Sequence, residues 1–233
     1  MFMKRLILFD IDETMISSDG AGRRAIGKAL ASMFNIGPES ITVSMSGKTD
    51  PQILSEILTT PGVDIPAREL ESRLEEMYEL YLGLLEEELA AARRYIIHEG
   101  VQELLDVLTR QEGAFLGLLT GNIEPGARLK LQRFDLNRYF PTGAYGSDSA
   151  DRMKLPPIAR ERAGKHYRCE FVPEELVIIG DSIYDVMCAR GYGARSIAVN
   201  TGVTTREALE EQSPDHLFPS LSDTDAVMKA IFA

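Results

Sequence analysis

Two carboxylates stand two positions apart at the end of an apolar run, in Leu6-Ile7-Leu8-Phe9-Asp10-Ile11-Asp12-Glu13-Thr14. Core packing has no use for two acids there. Converging carboxylates repel each other, and a bound divalent cation is the simplest relief. A strand followed by an Asx-type turn would place the same residues without any chemistry. Two later apolar runs end in a comparable way. Phe115 to Leu119 leads into Thr120-Gly121-Asn122, and Leu176 to Ile179 leads into Gly180-Asp181-Ser182. Asp185 follows Asp181 by four residues, so both acids could face one side of a helix that begins there. Taken singly, these ends read as a tight turn and as favourable charge at a helix N-terminus. Three polar strand ends on one sheet edge, where open α/β sheets bind ligands, point to a site.

The elements that must position these residues are legible as alternation. The run before Asp10 is apolar in succession, as in a central parallel strand covered on both faces. Further strand patterns lie at Ser196 to Val199, near Gly143 to Tyr145 and, marginally, at His216 to Phe218. Helical patterns separate them at Gly100 to Arg110, Gly126 to Phe134, Pro157 to Ala163 and Tyr184 to Arg190. The class is α/β, a parallel sheet with helices on both faces and right-handed crossovers.

Between about 15 and 95 the pattern changes and no strand is expected. Ser17 to Gly22 is rich in serine and glycine, a candidate hinge. A helix is expected from Arg23 to Phe34, and a second one with Asp50 as N-cap and Pro51 at its first position. Breaks are expected at Pro61, Gly62 and Pro66. A long helix from about Ala67 to Arg94 gathers Leu70, Leu74, Met77, Tyr81 and Leu85 on one apolar face. The expected division is a core of 1–16 and 95–233 with a helical insert of 17–94.

Acids outnumber bases 36 to 25, for a net charge of -11. That balance argues against a nucleic-acid surface and against anionic membranes. It leaves room for a small anionic substrate, because a cleft can oppose the global charge. Cys169 and Cys188 make neither a metal-ligand spacing nor a disulfide framework. With no signal-peptide pattern and no membrane-length apolar run, a cytoplasmic protein with reduced thiols is expected. His98, His166 and His216 lack partners at ligand spacing.

In chain order, Asp10-Ile11-Asp12-Glu13-Thr14, Leu119-Thr120-Gly121-Asn122 and Gly180-Asp181-Ser182-Ile183-Tyr184-Asp185 resemble motifs I, II and IV of the haloacid dehalogenase superfamily. The helical insert falls where that superfamily places its cap. The resemblance is to the phosphoglycolate phosphatase-like branch. It implies a Rossmann-like core with a helical cap, and Mg²⁺-dependent hydrolysis of a small phosphorylated metabolite through a phosphoaspartyl intermediate. Asp10 would be the nucleophile. Asp12 would be the general acid and later the base. Mg²⁺ would be held by Asp10, the backbone carbonyl of Asp12 and Asp181, with Asp185 as a nearby orienting carboxylate. Thr120 and the backbone N–H groups at Gly121 and Asn122 would bind phosphoryl oxygens.

The family's motif III requires a cation, and Arg152-Met153-Lys154-Leu155-Pro156-Pro157 offers two. Lys154 precedes Pro157 by three, as in the common K-P-x-P element, but Leu155 stands where its first proline would be. Arg152 is the rival. Gly47-Lys48-Thr49-Asp50 resembles the specificity loop of helical caps, with Lys48 either meeting a substrate anion or solvated. The acid at Asp12 speaks against dehalogenase and phosphonatase chemistry. A phosphomutase remains the alternative enzyme. A phospho-accepting receiver module, with no insert of this size, is the non-enzymatic one. A monomer or a homodimer is expected.

Overall fold

The computed structural model describes residues 3–37, 41–60 and 67–233. The breaks expected at Pro61, Gly62 and Pro66 lie outside the described residues. Arg5–Phe9 (β1) is the middle of the fold, and Leu6, Ile7, Leu8 and Phe9 are completely buried. Each such side chain contributes about 1.5–3 kcal/mol on burial, so the strand leading to Asp10 is firmly anchored. Its side chains alternate between two cores. Leu6 and Leu8 join one cluster, while Ile7 and Phe9 join the other.

The chain leaves the core through Ile16–Ser18 (β2) and returns through Tyr95–Ile97 (β3). These pair antiparallel, with Ile16 opposite Ile97 and Ser18 opposite Tyr95. The expectation of no strand between about 15 and 95 is corrected at both ends of that range. Three residues per strand are too few to set up a readable alternation.

Between them lie Ala21–Phe34 (α1), Asp50–Leu58 (α2) and Ala67–Ala91 (α3). α1 packs along α3, closing Ile26, Ala29 and Leu30 against the apolar face that carries Met77, Tyr81 and Leu85. Asp50 is not the cap of α2. Thr49 is, its Oγ1 accepting from Gln52 N at 3.2 Å. Asp50 starts the helix and is buried, because its carboxylate accepts instead from the N–H of Ile123 at 2.9 Å.

The core resumes with Val101–Leu108 (α4), Ala114–Leu119 (β4), Glu124–Gln132 (α5) and Gly143–Ala144 (β5). Leu155–Tyr167 (α6), Leu176–Gly180 (β6), Ile183–Tyr192 (α7), Arg195–Val199 (β7) and His216–Phe218 (β8) follow. Arg206–Glu211 (α8) and Thr224–Phe232 (α9) are helices that the sequence patterns did not single out. The six-stranded sheet runs β5-β4-β1-β6-β7-β8, with every pair parallel. No helix among the described residues is long and apolar enough to cross a membrane.

Candidate active site

β1, β4 and β6 are neighbours, and Asp10, Thr120 and Asp181 are the residues immediately after them. All three line one cavity of about 320 Å³, together with Asp12, Gly121 and Asn122. Lys48 and Arg152 line it too. Asp10, Asp181 and Asp185 are buried, and a carboxylate oxygen from each lies within 4.8 Å of the other two. Asp181 precedes the helix rather than sharing a face of it with Asp185, because the N-cap of α7 is Ser182. Asp185 sits in the first turn as the second half of a capping box. Its Oδ2 accepts from Ser182 N at 3.1 Å and from Ser182 Oγ at 2.6 Å.

Crowding sets the electrostatics. Burial pushes the Asp10 carboxyl up to about 6. Arg152 opposes that shift, and Asp185 and Asp12 add to it. Asp181 is raised well above the usual carboxylate range by burial, then by Asp10 and Asp185. The Thr14 hydroxyl donates to Asp181 Oδ1 at 3.1 Å and partly offsets this. Glycine at 202 is a steric requirement here, since a Cβ there would fall 1.8 Å from Asp181 Oδ2.

Among the two candidate cations of 152–154, Arg152 points inward and is 3 % exposed. Its Nη2 lies 3.2 Å from Asp10 Oδ1 and donates to Asp185 Oδ1. Burial works against its charge, but Asp185 and Asp10 outweigh burial and raise its pKa. Lys154 ends the same short 3-10 turn and points the other way. Its side chain is 72 % exposed and, among the acids of the described residues, approaches only Asp151, at 4.0 Å. The structure therefore brings Arg152 to the acids and leaves Lys154 in solvent. Lys48 reaches the cavity but is paired with Glu56.

The Thr120 hydroxyl oxygen accepts from Asn122 Nδ2 at 2.8 Å and from Asn122 N at 3.3 Å, which leaves its own O–H to donate. The N–H of Asn122 is thus turned toward Thr120 rather than outward. Gly121 lies beneath the insert, where a Cβ would fall 2.0 Å from the carbonyl oxygen of Lys48. That approach brings Asp50 N to 2.8 Å from Gly121 O. Thr49 Oγ1 donates to Ala150 O at 2.7 Å, and Arg152 Nη1 to Gly47 O at 3.3 Å. Four main-chain atoms of 47–150 and their partners thereby hold the insert over the strand ends.

Lys130 and Asp50 are site residues that sequence reasoning passed over. Lys130 Nζ lies 2.7 and 2.9 Å from the two oxygens of Asp12 and 2.6 Å from Asn122 Oδ1. Asn122 Nδ2 closes the group by donating to Asp12 Oδ2 at 2.8 Å. The available signal was position. Lys130 shares the buried face of α5 with Gly126, Ala127 and Leu131, where an unpaired lysine would not be stable. Burial raises the Asp50 carboxyl to about 6, against the pull of Lys130 and of the Ile123 N–H.

Known proteins are similar to this chain in sequence and in fold. A family model described as HAD-hydrolase-like matches residues 152–224, the stretch from Arg152 through Asp181 and Asp185 to α9. The phosphoglycolate phosphatase of Escherichia coli (strain K12) is 25 % identical over 239 residues, covering 94 % of this chain and 90 % of that protein. Over that stretch the chain is similar to the haloacid dehalogenase-like hydrolases. These likenesses support a phosphatase, with phosphoester hydrolysis as its chemistry. Solved structures agree in fold over nearly their whole length. A predicted phosphoglycolate phosphatase from Haemophilus somnus 129PT superposes on this hydrolase with TM-score 0.71 at 18 % identity, covering 98 % of this chain and 99 % of that one. CbbY from Rhodobacter sphaeroides, solved in complex with phosphate, gives 0.73 at 20 %, covering 95 % and 96 %.

Proposed function

We propose that this hydrolase is a Mg²⁺-dependent phosphomonoesterase that works through phosphorylated Asp10, with residues 17–94 as its cap. The observation that carries the reading is the imbalance at the strand ends. Three buried carboxylates, Asp10, Asp181 and Asp185, face one guanidinium. Such a cluster of hard oxygen donors suits Mg²⁺. Asp10, Asp181 and the backbone carbonyl of Asp12 would hold the ion, with Asp185 orienting the cluster through Arg152. When bound, the ion supplies positive charge against the phosphoryl oxygens.

The rest is done by the chain's own residues. An Asp10 oxygen bonds to phosphorus as the ester P–O bond breaks, and the leaving oxygen takes the electron pair and a proton from Asp12. Arg152 holds Asp10 in line and faces the charge that spreads over the transferring group. The Thr120 O–H donates to a phosphoryl oxygen. A water then attacks phosphorus, Asp12 takes its proton, and the Asp10 carboxylate leaves with inorganic phosphate formed. Lys130 and Asn122 fix the orientation of Asp12 through both steps. The insert, held at 47–50, keeps bulk water from the acyl phosphate.

The test is phosphate release from a panel of phosphorylated metabolites in Mg²⁺ and in EDTA. Release that needs Mg²⁺ and disappears in Asp10→Asn supports the reading. Return of the phosphoryl group to a sugar instead of water would make the enzyme a mutase. Undiminished turnover by Asp10→Asn would overturn the nucleophile assignment.

A further inference from the structure

Asp50 belongs to the insert, yet it is only 6 % exposed and lines the cavity. A buried carboxylate is kept only where it has partners, and the two bonds of this residue define its place. Its N–H donates to Gly121 O at 2.8 Å, and its Oδ2 accepts from Ile123 N at 2.9 Å. Those bonds fall on either side of one core residue, Asn122. Ile123 is the N-cap of α5 and receives no hydrogen bond to its own side chain. The Asp50 carboxylate stands at that helix start, where negative charge is favoured. A residue of the insert thus fastens the turn between β4 and α5.

Asn122 is the branch point of the wall around Asp12. Its Nδ2 donates to Asp12 Oδ2 and to Thr120 Oγ1, each at 2.8 Å, and its Oδ1 accepts from Lys130 Nζ at 2.6 Å. Asp12 is the least enclosed member of the group, its side chain 37 % exposed against 6 % for Lys130. Among the described residues its carboxylate has two side-chain partners, Asn122 and Lys130. Both stand on the segment whose start Asp50 grips. Thr120 is held independently of that grip, its N–H donating to Ala144 O at 3.1 Å in the sheet.

We infer that Asp50 is a positioning residue for Asp12: from the insert it fixes the turn 121–123, and Asn122 and Lys130 carry that setting to the acid. The role needs no contact between Asp50 and the ester. It rests on the phosphomonoesterase reading, which gives Asp12 the proton transfer. Such a transfer succeeds only within hydrogen-bond reach of the leaving oxygen. Asp10 follows β1 and does not depend on the turn, so a misplaced turn harms the proton step before the bond to phosphorus.

Ethyl phosphate and p-nitrophenyl phosphate, each with Mg²⁺, separate this role from a merely structural one. The first leaving group needs a proton and the second needs little help. Asp50→Ala should lose about tenfold or more in kcat on ethyl phosphate and about threefold or less on p-nitrophenyl phosphate. KM should change little, because Arg152 and Thr120 keep their places. Asp50→Asn keeps an acceptor for the Ile123 N–H and should recover most of the loss. Asp50→Ser, with a side chain one bond shorter, is a second route to the loss should the alanine variant not fold. Thr49→Val is the comparison. It removes the α2 cap and the bond to Ala150 O, which also fasten the insert but leave the turn 121–123 alone; its losses should be equal on the two esters. A melting temperature near that of the parent shows that a variant is folded. Equal losses on both esters in the folded Asp50 variants, or the same ester bias in Thr49→Val, overturn the positioning role while leaving phosphatase activity intact. A parent that cleaves p-nitrophenyl phosphate alone has no proton transfer for Asp50 to serve, which overturns it too. Release of phosphate from neither ester overturns the phosphomonoesterase reading and the positioning role with it.

Discussion

The two walls of the cavity are built on different plans. The floor around Asp10, Asp181 and Arg152 comes from strand ends and from a 3-10 turn beside them, all within the α/β core. The opposite wall, around Asp12, Lys130 and Tyr81, joins a core loop, the face of α5 and the long helix of the insert. Excess negative charge dominates the floor, with burial raising Asp10 and Asp181 together. In the wall a buried ammonium is matched by Asp12 and by the amide of Asn122. A floor of that kind serves a group whose charge is always the same, the phosphoryl. On the proposed reading, the wall would meet the variable part of the ester.

If this division holds, floor substitutions should lower turnover on every ester, and wall substitutions should discriminate among esters. Asp10→Asn should lose about 10⁴-fold or more in kcat on all substrates, measured as phosphate release, because no other group at that position can bond to phosphorus. Arg152→Lys should lose about 10²- to 10³-fold, again without regard to the leaving group. Lys154→Met should stay within about twofold, since its charge is exposed and distant from the acids. A reversal of those last two would assign the cation to the other residue.

Asp12→Asn is the wall's sharpest test. It should cost about 10²- to 10⁴-fold on alkyl esters and markedly less on p-nitrophenyl phosphate, whose leaving group needs little help from a proton. Equal losses on both would place Asp12 with the floor and dissolve the distinction.

The smallest effect concerns stability. Asp50 is buried, and its pKa in the folded protein is about 6, above the unfolded value of 3.8. The folded state therefore holds more protons than the unfolded state between about pH 4 and 6, and this group's contribution to stability falls as pH rises through that window. Asp50→Asn removes the dependence. The unfolding free energy of the variant relative to the parent should rise between pH 4 and 7, by up to about 3 kcal/mol. A flat difference would mean that Asp50 titrates in the folded protein as it does in the unfolded one.

The floor was largely legible in the sequence because strands announce their ends. An unbroken apolar run stopping at Asp10, Thr120-Gly121-Asn122 or Asp181 needs no tertiary knowledge to notice. The choice between Arg152 and Lys154 was not legible, because two residues on one turn differ in direction rather than in composition. The wall was harder. Lys130 stands 118 positions from Asp12 in the chain, and only the packing of α5 makes them partners. Tyr81 was legible as part of an apolar stripe, but nothing in that stripe says the residue lines a cavity. Thr49 and Asp50 both suit a helix N-cap, and the contact of Asp50 with Ile123 decides between them. β2 and β3 escaped notice through sheer brevity.

The latch between insert and core has a consequence for how such an enzyme diversifies. Asp50 offers its amide, Gly47 and Ala150 offer carbonyls, and Gly121 offers both a carbonyl and the absence of a side chain. Peptide groups are common to every residue but proline as donors, and to all as acceptors. The clasp can therefore survive exchange of the neighbouring side chains at 44–46 and 48, so long as Thr49 and Arg152 keep their donors and positions 47 and 121 stay bare. A lineage could retune what the pocket accepts by ordinary point changes at 44–46 and 48 and never have to reinvent the way it shuts.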